Sequence, residues 1–291
     1  MPPSPLARRL LDLITGTAKD PTYWPVTSRL SAALGTRVRI GEDLASIRYV
    51  LDGQARRWVV DPARELVEFL LRDEERSVGP FDALVAAELA GMDAEVSVWL
   101  AGWCAPITLA EAAVPLGWDV ERRALFAEAV RQEPHHVVPP PSGVTEWLGG
   151  LPGYPDFART ALEAAEARVA AIHAGEIPYA AEKAFENEER ATVGRAVRLA
   201  LLRDEPWLPE LLESLVRGIA VAPTTARTLP SQALLFEIAR AVEEHPTPEA
   251  VSALRAACRV TRHAGVPGQL DRMFKRIEPA LADRLEVAFR L

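Results

Sequence analysis

Between Arg255 and Arg276 the chain concentrates Arg255, Arg259, Arg262, His263, Arg272, Lys275 and Arg276 around a single acid, Asp271. Guanidinium and ammonium groups at that density have the chemistry for gripping phosphates or an acidic partner surface. Arg255, Arg259 and Arg262 are spaced to share one stripe of a helix. Two readings follow: a contact ridge, or a solvated outer face at the end of a helical assembly. If the ridge holds nucleic acid, as in helical-repeat DNA glycosylases, binding falls steeply with salt and is lost when Arg259 and Arg262 become Glu.

Carboxylates form a second constellation. Glu182, Glu186 and Glu189 stand at i, i+4 and i+7, the spacing that places acids on one helical face for a divalent cation or for acid/base work. Lys183 and Arg190 are close enough to neutralise such a run, and no Asp-rich motif elsewhere completes a metal site. His135 and His136 follow Glu133 at about the spacing used in helical di-metal proteins. Pro134 interrupts that spacing, which favours a linker. His173, His245 and His263 fall at expected helix ends, where a positive charge is favourable. Trp99 and Trp103, one helical turn apart, and the nearby Trp118 suit either base or peptide stacking or ordinary core packing.

The chain lacks a phosphate loop ending in Lys-Ser or Lys-Thr, a His-Glu-x-x-His pair, a Gly-x-Ser-x-Gly elbow and a Gly-x-Gly-x-x-Gly turn. Weight therefore moves away from the commonest hydrolases and nucleotide enzymes. No catalytic residue, cofactor-binding residue or metal ligand is assigned.

The elements that must position these residues are helices. Leu234, Leu235, Ile238, Ala241 and Val242 trace one apolar stripe from about Ser231 to His245, with Glu237, Arg240, Glu243 and Glu244 outside it. Thr247-Pro248-Glu249 supplies a cap, a proline at the first helical position and an acid in the first turn. A second stripe follows through Val251, Leu254 and Ala257 or Cys258 to Gly265. Val266, Leu270, Met273, Phe274 and Ile277 mark a third helix, and Pro279 starts a fourth. Upstream, helices are expected over Asp156 to Ala174, Ala180 to Arg203 (continuous or broken) and Pro206 to Ala222. Asp61-Pro62 begins another, and Thr108 with Glu111 reads as a capping box. Residues 47–60 fit a helix better than a hairpin turning at Asp52-Gly53.

A repeat is visible. Pro209-Glu210-Leu211-Leu212-Glu213-Ser214-Leu215 is echoed 39 positions on by Pro248-Glu249-Ala250-Val251-Ser252-Ala253-Leu254. A period near 40 residues with two amphipathic helices per unit characterises HEAT and armadillo arrays, whose units bury their apolar faces only against neighbours. The expected fold class is all-α, with short antiparallel helix pairs and an α-solenoid of HEAT or armadillo type at least in the C-terminal half. Pro139-Pro140-Pro141-Ser142-Gly143, Gly149-Gly150 and Pro152-Gly153 break the rhythm. The expected division is an N-terminal helical domain over 1–133, a Pro/Gly-rich linker packed on the surface over 134–155, and a helical-repeat domain over 156–291.

With 291 residues and 49% apolar content, the chain has ample material for a core. Its net charge of −8 is spread over both halves, so neither half is a basic nucleic-acid module. Lysine occurs only at positions 19, 183 and 275, and Asn187 is the sole asparagine. That bias is a coding habit of GC-rich bacterial genomes before it is a binding signal. Cys104 and Cys258 show no paired spacing, which fits reduced thiols. With neither a secretory leader nor a spanning segment legible, a cytoplasmic location is expected.

The segments Ala222-Pro223-Thr224-Thr225-Ala226-Arg227-Thr228-Leu229-Pro230-Ser231-Gln232-Ala233-Leu234, Thr247-Pro248-Glu249-Ala250-Val251 and Arg262-His263-Ala264-Gly265-Val266 resemble the helical region of bacterial proteins related to the molybdate metabolism regulator MolR. The similarity covers about 70 residues of the C-terminal third. Those proteins are much longer, so the resemblance implies that this chain corresponds to a helical segment or a short member. It transfers no catalytic residue.

The function expected from these features is a non-catalytic protein-protein interaction or scaffold module of a bacterial cytoplasmic protein, with a protein partner and no cofactor or membrane. The alternatives are a nucleic-acid-associated repeat protein using the basic ridge, and a metal-dependent helical enzyme using the Glu182 to Glu189 acids.

Overall fold

The computed structural model describes residues 80–90, 93–130 and 143–290. Every regular element among them is a helix. They are α1 (Pro80–Ala90), α2 (Asp93–Trp103), α3 (Pro106–Ala113), α4 (Val120–Ala129), α5 (Val144–Gly149), α6 (Tyr154–Ala174), α7 (Asn187–Leu202), α8 (Leu208–Ile219), α9 (Gln232–Glu244), α10 (Pro248–Val260) and α11 (Val266–Arg290). Residues 47–60, the Asp61-Pro62 helix start, and Glu133 with His135 and His136 lie outside the described residues.

These helices form two compact units, one containing α1, α2 and α4, the other α3 and α5 to α11. The division differs from a boundary at residue 133, because Ala105–Val114 packs with the C-terminal helices although sequence places it between α2 and α4. The segment expected as linker also contributes to the second unit: Thr145, Leu148 and Tyr154 within it are buried.

In the first unit, Asp119 caps α4, its carboxylate accepting from the Arg122 N–H at 2.9 Å. Arg123 on α4 is 2% exposed and spends its donors inward: on the carbonyls of Leu84 (2.9 Å) and Trp118 (3.0 Å), and on both carboxylate oxygens of Asp93 at 2.6 and 2.7 Å. Phe126 packs edge-on against Phe81 and Trp118. Trp118 is thus a packing residue of this unit.

In the second unit the local signals act as expected over α9 and α10. The hydroxyls of Ser231 and Thr247 accept from Leu234 N and Ala250 N, both at 3.2 Å, and Pro248 opens α10 where a missing N–H costs nothing. Gly153 and Gly175 bracket α6 with φ of 77° and 80°, left-handed conformations that glycine adopts without strain.

Three expectations are corrected. Ala180 to Arg203 is a turn followed by α7, since the helix begins only at Asn187. Thr108 and Glu111 form no capping box: Pro106 starts α3 two residues earlier, leaving both side chains inside the unit. Pro279 starts no new helix but lies inside α11. Its ring deprives only the Lys275 carbonyl of a donor, and Lys275 sits on the exposed face, where water serves instead.

Packing sorts the helices into two rows. One row stacks α6 on α8 and α8 on α10; the other stacks α7 on α9 and α9 on α11, with α6 against α7 closing one end and α10 against α11 the other. The sequence echo maps onto α8 and α10. Leu212 and Val251 occupy equivalent buried places, as do Leu215 and Leu254, while Glu213 and Ser252 both face outward. Burying each leucine contributes about 1.5–3 kcal/mol.

Gly218 sets the spacing of α6 and α8. A Cβ there would lie 2.4 Å from Cγ1 of Val169, which is itself buried. Gly218→Ala is therefore expected to lower stability by roughly 1–3 kcal/mol by overpacking, and Gly218→Ala with Val169→Ala to recover part of that loss, both read by urea denaturation followed by far-UV circular dichroism.

Candidate functional site

Two features of the second unit bear on function: an ionic network inside it and a groove on its surface. The network is organised by α7, whose buried residues include Glu189, Thr192, Arg195 and Arg198. Glu111 of α3 is fully buried and receives Arg195 through Nε at 2.8 Å and Nη2 at 2.5 Å, Thr192 Oγ1 at 2.6 Å, and the Tyr154 hydroxyl at 2.7 Å. Burial and the adjacent Glu111 carboxylate push the Tyr154 phenol well above its ordinary value, so it remains a donor. Glu189 takes two bonds from Arg168 of α6, at 2.6 and 2.8 Å. Its Oε1 also accepts from the Ile107 N–H at 3.3 Å. Ala105, the N-cap of α3, has no side-chain acceptor, and the carboxylate from α7 supplies one.

On the other side of α7, Arg198 bonds Glu237 at 2.6 Å and grips Glu244 at 2.8 and 2.9 Å. Gly194 makes room, since a Cβ there would stand 2.6 Å from the Glu237 Cγ. Arg240 completes the group with two bonds to Glu237 Oε2. Each of these buried charges has a counter-charge in contact, so the network holds helices together, although Arg195 Nη1 and the Thr108 hydroxyl are buried without a hydrogen-bond partner.

The acids proposed from spacing do not share a face. Glu182 lies in a turn with φ of 61° and accepts from the Gln232 N–H at 2.7 Å. Glu186 is the N-cap of α7, and Glu189 is the buried partner of Arg168. The i, i+4, i+7 spacing makes no shared face because the helix begins only at Asn187. Among the described residues no three His, Cys, Asp or Glu side chains gather closely enough to hold a metal ion.

The basic ridge is also divided. Arg255 pairs with Glu278 at 2.6 Å, and Arg276 pairs with Glu243 at 2.5 and 2.8 Å. Arg272 bonds the Gly268 carbonyl, and the His263 ring accepts from the Gly265 N–H. Arg255, Arg259 and Lys275 border a shallow hollow together with Asp271 and Glu278, so its charge is mixed. Arg262 lies beyond the end of α10, off the stripe, and bonds the Thr224 carbonyl at 3.1 Å. The acids that break up the ridge, Glu243 and Glu278, fall outside the sequence window that suggested it. Cys258 beside it is a half-buried free thiol whose pKa burial raises, the opposite of an activated nucleophile.

The histidines divide too. His173 ends α6 with Nε2 2.9 Å from the Gly218 carbonyl. His245 follows α9, but burial pushes its pKa below the ordinary value despite Glu244 and Glu146 nearby, so charge is disfavoured there.

The groove was not legible in sequence. It has a volume of about 710 Å³ and opens between α6 and α8, reaching the end of α10. Val169, Val221 and Val260 give it apolar surface, and Glu166, His173, Glu210, Glu213, Arg217 and Arg262 border it. The signal available in sequence was the outward-facing Glu210, Glu213 and Arg217 of α8, and nothing local announces that α6 and α10 border the same hollow.

Glu111→Gln leaves Arg195 buried opposite a neutral amide, and a loss of about 3–5 kcal/mol is expected. Replacing the pair with apolar residues, Glu111→Leu with Arg195→Met, is expected to regain much of it, as read by chemical denaturation. A second expectation concerns pH. Because the folded state depresses the His245 pKa, proton uptake favours the unfolded chain: the stability is present above the ordinary value of about 6.5 and lost as pH falls below it. Denaturation midpoints should decline between about pH 7 and pH 5, and His245→Asn should flatten that decline.

No protein-family model matches the chain, and no curated protein and no solved structure matches it.

Proposed function

We propose that this protein is a non-catalytic interaction or scaffold module, located in the cytoplasm, whose C-terminal helices form a HEAT-like array. The observation that carries the reading is the groove, an open surface lined by both apolar and charged side chains, built by helices stacked in one row. The two-row stacking and the match between the sequence echo and α8 and α10 support the array. The use of interior charges as paired ties between helices supports a structural rather than catalytic role for them. No described helix is long and apolar enough to cross a membrane. Kinship with the MolR-related helical proteins, on the segments quoted above, is part of the same proposal.

The test places a photo-crosslinking amino acid in the full-length protein in cells, at Ala170 or Val260 on the groove and at Leu285 away from it. The reading expects a discrete adduct with a second protein from the groove positions and none from Leu285. Absence of adducts at every position, or the same adducts from all three, would count against it.

A further inference from the structure

We infer that the groove between α6 and α8 docks a peptide segment whose positive and negative side chains are segregated toward opposite ends. This rests on the interaction-module reading and adds the chemistry of the partner. Two contacts orient the walls: Ser214 donates to Glu166 at 2.6 Å, and His173 meets the Gly218 carbonyl at 2.9 Å. The helices therefore run parallel, and their acids fall at the same end. Glu166 joins Glu210 and Glu213 there, while Arg217 and Arg262 occupy the far end with His173.

Separation and availability decide what fits. Glu210 and Arg217 are seven residues apart on α8, about 10 Å along the helix. Glu210, Glu213 and Arg217 are exposed and form no ion pair with any described residue, and Arg262 spends one bond on the Thr224 carbonyl. A uniformly anionic polymer such as nucleic acid gains at the arginines and is repelled by the three acids. A small dipolar molecule can span the one turn between Glu213 and Arg217, about 6 Å, but leaves Glu166, Glu210 and Arg262 unmet. A peptide of two to three helical turns reaches both ends, with its basic residues over the glutamates, its acidic residues over the arginines and apolar side chains on Val169, Val221 and Val260.

The experiment titrates the full chain with labelled synthetic amphipathic peptides of about 12 residues and identical composition, read by fluorescence anisotropy. One peptide has its lysines in one half and its glutamates in the other; the second interleaves them. The segregated peptide is expected to bind about tenfold more tightly, a difference of about 1.4 kcal/mol. Arg217→Glu should remove most of that preference. Arg217→Lys should keep it, because the positive charge at that end is retained. This side chain is exposed, and unchanged circular dichroism verifies that the variants are folded. Equal binding of the two peptides, no binding, or a preference untouched by Arg217→Glu overturns the inference. If Arg217→Glu leaves the cellular adducts intact, the interaction module stands and this docking mode falls.

Discussion

The second unit depends on carrying charge through its interior along α7. A helix of 16 residues buried on nearly every side would ordinarily be apolar throughout, yet this one holds Glu189, Arg195 and Arg198 at no more than 4% exposure. Taking ions from water is costly, so each must meet a counter-ion with good geometry. The partners come from three different helices: Glu111 on α3, Arg168 on α6 and Glu237 on α9. A slip of α7 by one residue against any of them would strand a buried charge, whereas an apolar face tolerates small slips. Losing one partner of such a buried pair costs several kcal/mol, about 3–5, so the network penalises other registers of α7.

That fixed register has consequences on the outside. With α6 held by Arg168 and α9 by Arg198, the row formed by α6, α8 and α10 is stacked on a rigid backing, and Gly218 lets α8 approach Val169 closely. The groove is the residue of that geometry. Val169, Val221 and Val260 give it apolar surface, and Glu210, Glu213 and Arg217 project into solvent from α8. The same helices thus use charge in two ways: paired and buried where it orders the fold, exposed and separated where it meets solvent.

Local grammar was readable wherever cap, proline and periodicity agreed, as at Ser231, Thr247 and Pro248. It misled where a local motif had a stronger tertiary use. Thr108 and Glu111 have the spacing of a capping box, but Glu111 is drawn inward by Arg195, more than eighty positions away. Glu182, Glu186 and Glu189 have helical spacing, but the chain turns before Asn187, so spacing did not become a face. The basic ridge is altered differently: Arg262 falls past the end of α10, and Glu243 and Glu278 arrive from other elements to neutralise Arg276 and Arg255.

Composition, periodicity and caps by themselves determined the helical character of the described residues, the extent of α9, the start of α10, and a 39-residue echo in which Leu212 and Val251, and Leu215 and Leu254, are buried alike. These are short-range properties, set by backbone hydrogen bonding within a few residues and by the 3.6-residue turn. Tertiary structure alone decided that Ala105–Val114 joins the C-terminal helices, that α7 is tied to its neighbours by buried ions, and that acids and arginines face each other along a groove. Those outcomes depend on which charges and voids meet across dozens of residues, and an ion pair or a hollow exists only once the surfaces that make it have been brought together.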